Sequence, residues 1–157
     1  MPKITPNLWF DTQAEEAANF YVSIFENSEI LHVAHYGEAG PGPEGTVVTV
    51  EFRLDGQEVL AINGGPEFTF SEAVSFAIDC ATQDEVDYYW EKLTEGGSPG
   101  PCGWLKDKYG FSWQVVPTML SDLMRTGDPE KVNRMTKAMY QMSKLDIAQL
   151  QAAYDQE

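Results

Sequence analysis

The chain has few residues of the types that usually carry chemistry, and their spacing argues against the common sites. His32 and His35 are the only histidines, and the segment around them alternates like a β-strand. Residues three apart on a strand point to opposite faces, so at most one of the two could bind a given ion. Cys80 and Cys102 match no zinc or redox spacing. We therefore expect free thiols and no histidine-based metal site.

A glycine-rich segment, residues 40–45, matches the G-x-G-x-x-G pattern of dinucleotide sites. That pattern holds a phosphate only where the loop follows a strand and opens a helix, because the phosphate sits at the helix N-terminus. Here two prolines stiffen the loop, and the β-branched residues after it predict a strand. We therefore reject a nucleotide site at this loop.

The segment GFSWQVVP, residues 110–117, predicts a strand with one wholly apolar face. The other face carries Ser112, Gln114 and Val116, so Gln114 is the only amide on it. Because a buried amide without a partner costs about 1 to 3 kcal/mol, we expect Gln114 to bond to Ser112, Asn63, a water or a ligand. The alternatives of a ligand contact and an internal hydrogen bond both stay open at this point.

Composition narrows the classes of partner. The 157 residues include 10 Lys and Arg against 25 Asp and Glu, a net charge of −15. Such a surface repels nucleic acid; it serves solubility and could also favour a cationic ligand. No apolar run approaches the roughly 20 residues that cross a bilayer, and the N-terminus has no signal-peptide pattern. We expect a soluble cytoplasmic protein that binds neither nucleic acid nor a membrane.

The first half of the chain predicts the element order β-α-β-β-β. A strand over residues 3–10 precedes an amphipathic helix, at whose start Thr12 and Glu15 form a T-x-x-E capping box. Three strand-like segments follow. The last two are joined by Asp55-Gly56, a pair typical of a tight hairpin turn.

The second half repeats this order. An alternating strand is followed by a helix with its own capping box, Thr82 and Glu85, and the last strand is residues 110–117. Both helices begin with Thr-Gln, which supports an internal repeat. Beyond the repeat the pattern is helical, and Asp128 and Pro129 mark one helix start. We therefore divide the chain into an α+β domain, residues 1–117, and a C-terminal helical extension packed on it, residues 118–157.

Four stretches together resemble the PhnB-like family: ITPNLWFDTQAEEAANFYVSIF, AVSFAIDCATQDEVDYYWEKL, CGWLKDKYGFSWQVVP and KAMYQMSKLDIAQLQAAY. This family, also called demethylubiquinone methyltransferase-like, belongs to the glyoxalase/bleomycin-resistance/dioxygenase (vicinal oxygen chelate) superfamily. The resemblance implies an α+β, glyoxalase-like fold in which two βαβββ modules form a curled sheet cleft. It also implies a homodimer.

Members of that superfamily with metal chemistry carry ligands on the first and last strands of each module. The resemblance places Thr5, Ala61, Ser75 and Gln114 at those positions. A divalent ion favours imidazole and carboxylate, whereas this set offers two hydroxyls, a methyl group and an amide. We therefore expect no metal and no cofactor.

The sequence predicts a metal-independent small-molecule-binding protein, with a cleft that orients an organic ligand. The predicted lining residues are Thr5, Asn7, Trp9, Asn63, Ser75, Asp79, Ser112 and Gln114. Two alternatives stay open: a methyltransferase acting on a demethylubiquinone-like phenol, and a non-catalytic sequestering or resistance protein for a cationic compound. No residue is assigned a catalytic role, so the sequence leaves turnover undecided.

Overall fold

The computed structural model describes residues 3–156 and has the predicted α+β architecture. The chain falls into two compact units, Met1–Thr69 and Phe70–Glu157. Each unit contains one four-stranded mixed sheet that does not close on itself. In the described part of the chain, no helix is long and apolar enough to cross a membrane.

The first unit contains module 1. Its elements are β1 (Asn7–Phe10), α1 (Ala14–Ile24), β2 (Glu29–His35), β3 (Val47–Leu54) and β4 (Gln57–Asn63). The strands lie in the order β1-β4-β3-β2, and β1 runs parallel to β4.

The second unit contains module 2 and the helices after it. Module 2 is formed by β5 (Ser75–Cys80), α2 (Gln83–Thr94), β6 (Ser98–Pro99), β7 (Trp104–Lys106) and β8 (Ser112–Pro117). Its strand order is β5-β8-β7-β6, with β5 parallel to β8. The helices α3 (Thr118–Thr126), α4 (Pro129–Met139) and α5 (Ile147–Asp155) follow.

The two modules have the same topology, which confirms the repeat predicted from the sequence. The first strand of each pairs with its fourth strand, and the registers match position by position. Asn7 pairs with Leu60 in module 1 as Ala77 pairs with Gln114 in module 2. Leu60 is therefore the counterpart of Gln114.

Each sheet buries one face against its own helix. In module 1, Val50, Phe52 and Ala61 on this face are fully buried, and the ring of Tyr21 from α1 stacks on Phe52 at 6.4 Å. In module 2, Trp113 and Val115 lie on the corresponding face of β8. The alternate residues form the other face of each sheet, which we call the open face.

Local signals predicted several element boundaries correctly. Thr82 caps α2 by accepting from the Glu85 amide, and Asp128 caps α4 by accepting from the Lys131 amide. At the β3–β4 hairpin, Asp55 and Gly56 both adopt positive φ, 49° and 80°, as a tight type I′ turn requires.

The first strand and the first helix differ from prediction. The strand begins at Asn7 instead of residue 3, and Ile4 is 84% exposed. The capping box at Thr12 is wrong, since α1 begins at Ala14 and no side chain of the preceding turn caps it. The Ala14 amide instead donates to Asn63 Oδ1 at 2.8 Å, an interaction that spans 49 residues of sequence. Local sequence carries no signal for such a cap.

The C-terminal helices form a small core of their own. Leu120, Met135, Leu145 and Leu150 are buried together, and Val116 on the open face of β8 packs against them. This contact places the helices over the end of β8 in the second unit.

Residues 142–147 run along module 2, and we call them the strap; they are the later part of the connection between α4 and α5 together with the first residue of α5. The Met142 and Ser143 carbonyls of the strap accept from the amides of Cys102 and Gly103 at 2.8 Å each. Gly103 has φ +85°, and a Cβ there would lie 2.9 Å from the Leu145 side chain. Only glycine therefore lets the strap lie this close to the sheet.

Candidate functional site

The predicted site residues of module 1 lie near β1, with different exposures. Thr5 and Asn7 are exposed, and the Asn7 amide donates to the Thr5 carbonyl at 2.8 Å. Trp9 is half-buried on the open face, and its indole N–H donates to the Gly65 carbonyl at 2.9 Å. The edge of its ring meets Phe68, with ring centres 5.0 Å apart. Trp9 and Phe68 thus form an aromatic corner beside the end of β4.

Asn63 is committed to internal hydrogen bonds. Besides accepting from Ala14, its side chain donates from Nδ2 to the Val47 carbonyl at 3.1 Å. Its main-chain carbonyl accepts from the Tyr36 hydroxyl at 2.5 Å. The Asn63 amide therefore ties β4 to the start of α1 and to β3, and both ends of it are occupied without a ligand.

In module 2 the structure brings Ser75 and Gln114 together. Gln114 Nε2 donates to Ser75 Oγ at 3.0 Å across neighbouring strands. The sequence had suggested Ser112 or Asn63 as protein partners, so Ser75 is a correction. Ser75 was among the predicted lining residues, but its hydrogen bond with Gln114 was not predicted, because only the parallel pairing of β5 with β8 makes the two side chains neighbours on the open face.

Ser112 and Asp79 complete the predicted set. Ser112 pairs in register with Ser75, is 1% exposed, and its hydroxyl has no hydrogen-bond partner among residues 3–156. A buried hydroxyl without a partner is uncommon, and it can still donate one hydrogen bond and accept others. Asp79 lies on the same face and is exposed.

The structure corrects one of the four positions compared with superfamily metal ligands. Ala61 lies on the helix-facing side of β4, fully buried, and is paired with Leu8. The module 1 counterpart of Gln114 is Leu60, one residue earlier, because alternation reverses the face at each step. The corrected set of Thr5, Leu60, Ser75 and Gln114 has no imidazole or carboxylate, and it does not fit a divalent transition metal.

Other titratable groups of the described chain do not assemble into a metal centre. No group of three or more His, Cys, Asp or Glu side chains among residues 3–156 could hold an ion. Burial, with help from the charges of Glu85 and Asp79, raises the pKa of the Cys80 thiol from 9.0 to about 12. Cys80 is therefore an inert core thiol at neutral pH.

A cavity of about 740 Å³ lies within module 1, at the N-terminus of α1. Its walls come from that helix, from the end of β2, from the glycine-rich β2–β3 loop and from the residues after β4. They are Asp11, Thr12, Glu15, Glu16, His35, Tyr36, Pro41, Gly42, Pro43, Gly45, Thr46, Val47, Asn63, Gly64 and Gly65. Of these, the sequence had indicated only Asn63 as a site residue. The signal that could have found the rest is the glycine spacing, because a Cβ at Gly40 or Gly42 would collide with the Tyr36 ring at 2.6 or 2.3 Å.

Comparison with known proteins places the chain in a family. The sequence model of the 3-demethylubiquinone-9 3-methyltransferase family matches residues 2–116. A PhnB protein from Bacillus cereus, named as a 3-demethylubiquinone-9 3-methyltransferase, is 42% identical, with a TM-score of 0.66 over 74% of this chain and 99% of its own. No curated protein sequence matches the chain.

More distant structures share the fold alone. Protein PA1353 from Pseudomonas aeruginosa is 18% identical with a TM-score of 0.61, covering 74% of this chain and 98% of its own. The fosfomycin resistance protein FosX from Listeria monocytogenes is 15% identical with a TM-score of 0.51, covering 74% of this chain and 93% of its own. PA1353 and FosX therefore share the fold of this chain, and their likeness shows nothing more than the fold.

The chain belongs to the PhnB-like, 3-demethylubiquinone-9 3-methyltransferase-like family, as its sequence predicted, and with that family to the glyoxalase-like, vicinal oxygen chelate superfamily. The family match ends at residue 116, immediately before the C-terminal helices. The strap and the helices around it therefore lie outside the matched stretch.

Proposed function

We propose that the protein is a metal-independent small-molecule-binding protein, whose ligand is anchored by Ser75 and Gln114 on the open face of module 2. The observation that carries this proposal is their 3.0 Å hydrogen bond, at strand positions where superfamily members with metal chemistry carry ligands. A neutral hydrogen-bonded pair replaces the donors that a metal would need.

The pair has hydrogen-bonding capacity left for a ligand. With Nε2 donating to Ser75, the Gln114 Oε1 acceptor and the Ser75 hydroxyl proton can both face a bound molecule. The buried Ser112 hydroxyl adds a third group, which has no partner among the residues that the structure describes. Such a set favours an uncharged ligand with an amide, hydroxyl or carbonyl group, because it offers no full charge for an ion.

Catalysis by a serine nucleophile has no support on this face. A serine nucleophile needs an adjacent base, and the described residues of module 2 include no histidine that could serve as one. We therefore propose binding and assign no reaction.

The family name offers a second candidate, methyl transfer to a demethylubiquinone-like phenol. The match over residues 2–116 is the observation in its favour. Against it, the glycine-rich loop leads into β3 instead of a helix, so this loop offers no helix N-terminus for S-adenosylmethionine. Micromolar binding of S-adenosylmethionine in a calorimeter would make methyl transfer the better proposal.

The binding proposal is tested on the protein as purified. Native mass spectrometry should detect a co-purifying small molecule, which is then identified and titrated back into stripped protein. Gln114→Ala should weaken its binding by about 1 to 3 kcal/mol and change the unfolding free energy less. Gln57→Ala, an exposed glutamine of the β3–β4 hairpin, serves as a matched control. If Gln114→Ala lowers stability and leaves affinity unchanged, the pair is packing and the proposal is wrong.

We also propose that the protein is a homodimer, because the exposed apolar side chains Phe68 (61% exposed) and Val74 (62% exposed) offer surface for a second chain. We propose a cytoplasmic location, because both cysteines are free thiols. Light scattering at micromolar concentration tests the dimer. A mass near 17.5 kDa would identify a monomer.

A further inference from the structure

The open face of module 2 carries an aromatic side chain beside the hydrogen-bonded pair of Ser75 and Gln114. Trp104 of β7 stands directly opposite Gln114 of β8 in the antiparallel register, so both side chains project from the same face. Residues opposed in this way have Cβ atoms about 4.5 to 5.5 Å apart. A molecule that is hydrogen-bonded to Gln114 therefore lies within reach of the indole ring of Trp104.

The Trp104 side chain has no hydrogen-bonding or aromatic partner in the described part of the chain. It is half-buried, and its indole N–H donates to none of the described residues. The indole N–H groups of Trp9 and Trp113, by contrast, each have a protein acceptor at 2.9 Å. Both of those rings also contact other aromatic rings, and Trp104 contacts none of the described ones. The exposed part of the Trp104 indole is therefore available to a ligand.

The neighbours of Trp104 and Gln114 in the same row of the sheet are small. Ala77 of β5 pairs with Gln114 on one side. On the other side Gly100 follows β6, and a Cβ built there would lie 3.6 Å from the Cβ of Trp104. The row therefore presents one amide and one aromatic ring between two positions with almost no side chain. No bulky side chain of this row keeps a flat ligand away from the amide and the ring.

The polar pair can bind two adjacent groups of a ligand. Because Nε2 of Gln114 already donates to Ser75 Oγ, the Gln114 Oε1 atom can accept from a ligand and the Ser75 hydroxyl can donate to it. The two side chains are neighbours, so they match an N–H and a C=O that lie side by side in one molecule. An amide has this arrangement, and in a ring lactam both groups lie in the plane of the ring. A conjugated ring adds a flat π face that can pack on Trp104.

We propose that the ligand of this face is a planar, conjugated ring with adjacent N–H and C=O groups, and that it stacks on Trp104. The N–H of the ring donates to Gln114 Oε1, and its C=O accepts from the Ser75 hydroxyl. Trp104 is thus a specificity-determining residue, because it favours a conjugated ring over a saturated ring of the same size. The inference rests on the proposed function, in which Ser75 and Gln114 anchor the ligand, and it names the chemical class of that ligand.

Small lactams test this class on protein that has been stripped of any co-purifying molecule. The probe 2-pyridone is planar and conjugated, whereas 2-piperidinone has the same N–H and C=O on a saturated ring. In NMR titrations 2-pyridone should saturate at a 1:1 ratio, with a Kd about fivefold or more below that of 2-piperidinone. It should also shift the indole N–H resonance of Trp104, which Trp104→Phe identifies. N-Methyl-2-pyridone lacks the N–H and should bind about tenfold or more weakly than 2-pyridone.

Variants of Trp104 separate stacking from packing. Trp104→Leu should raise the Kd of 2-pyridone about fivefold and change that of 2-piperidinone less than about twofold, whereas a purely structural role would weaken both alike. Trp104→Phe keeps an aromatic ring and should restore most of the preference for 2-pyridone. The matched control is Trp90→Leu, because Trp90 is also half-buried but lies on α2, which packs on the opposite face of the sheet. It should change both Kd values less than about twofold.

Four results would overturn the inference. They are no saturation at millimolar 2-pyridone, equal Kd values for 2-pyridone and 2-piperidinone, equal binding of N-methyl-2-pyridone, and equal weakening of both lactams by Trp104→Leu. The proposed function is judged separately, by the co-purifying molecule and its dependence on Gln114. If that molecule binds through Gln114 and the lactam tests fail, only the ring class is wrong. If Gln114→Ala leaves the Kd of 2-pyridone unchanged, the anchor of the proposed function is wrong, and this inference with it.

Discussion

Modules 1 and 2 share strand order and register, yet they meet their structural requirements with different residues. The start of α1 is fixed by Asn63 from the end of β4, whereas α2 is capped by its neighbour Thr82. Leu60 in module 1 stands where module 2 has the Gln114 amide. Topology is thus conserved between the halves while side-chain chemistry is not, and this separates residues that maintain the fold from residues available for function.

The hairpins before the last strand show the same contrast. Module 1 turns in two residues at Asp55-Gly56, which both adopt positive φ and whose amides donate to Ser28 Oγ at 3.0 Å and to the Asn27 carbonyl at 3.1 Å. Module 2 uses a longer turn centred on Asp107, which is 2% exposed. Its carboxylate accepts from the amides of Tyr109 and Phe111 and from the indole N–H of Trp113, at 2.9 to 3.1 Å. The first turn is held through its own backbone amides, whereas the second is held by the side chain of Asp107.

The largest effect on stability is expected from a substitution that disrupts the turn at Asp107. Asp107→Ala removes the acceptor of three donors, two of them buried, and should lower the unfolding free energy by roughly 3 kcal/mol or more. Asp55→Ala in the other hairpin should cost about 1 kcal/mol or less, because its side chain serves no such role. Urea unfolding of both variants makes the comparison. Similar losses would mean that the Asp107 hydrogen bonds contribute little.

The next effect concerns the cap of α1. Asn63→Ala leaves the Ala14 amide and the Val47 carbonyl without partners and should cost roughly 2 kcal/mol. Thr12→Ala should stay within about 0.5 kcal/mol, because Thr12 is exposed and does not cap the helix. Thermal unfolding of the two variants shows which residue caps α1. A larger loss of stability for Thr12→Ala would mean that Thr12, and not Asn63, is the cap.

A smaller effect is expected when the hydrogen bonds between Gln83 and the strap are removed. Gln83→Ala removes the bonds to Leu145 and Ile147 and should cost about 1 to 2 kcal/mol. Hydrogen exchange should rise first at Ile147. Gln13→Ala, at the counterpart position, should have almost no effect on stability. If Gln83→Ala and Gln13→Ala change the stability by the same amount, the hydrogen bonds of Gln83 to the strap do not stabilise the protein measurably.

The smallest effect depends on pH. Hydrogen bonds from Lys144 and Gln83 hold the pKa of Asp87 below its usual 3.8. The folded state therefore keeps this carboxylate charged to lower pH than the unfolded chain does. Its contribution is complete above the ordinary pKa and is lost as the pH falls through the lowered value. The protection of the strap amides from hydrogen exchange should decline below about pH 4. Asp87→Asn should remove this dependence on pH. If the variant shows the same dependence as the original protein, groups other than Asp87 cause it.

The fold could be predicted from sequence wherever the signal was local. Asp55-Gly56, Thr82 and Asp128 each act within four residues, and each was identified correctly. Asn63 was not identified as a cap, because its partner lies 49 residues earlier and depends on β1 pairing with β4. The error at Ala61 has a similar origin: a shift of one residue reverses the face, and only the register fixes it.

The candidate site was predicted less completely than the fold. The sequence indicated Gln114 as a polar residue on an apolar strand, but its partner Ser75 became evident only from the pairing of β5 with β8. The cavity at α1 escaped prediction because four separate segments build it. Glu15 and Glu16 were interpretable from sequence as ordinary first-turn carboxylates, which complement the helix dipole.

The strap also sets the order in which a newly made chain can be completed. Module 1 has every strand it needs once Asn63 has left the ribosome, because β4 is the last strand of its sheet. Module 2 has its strands at Pro117, but Cys102, Gly103 and Gln83 wait for residues 142–147, which are synthesised later. During that interval the amides of Cys102 and Gly103 lack their partners, and such exposed backbone edges are where nascent chains misassemble.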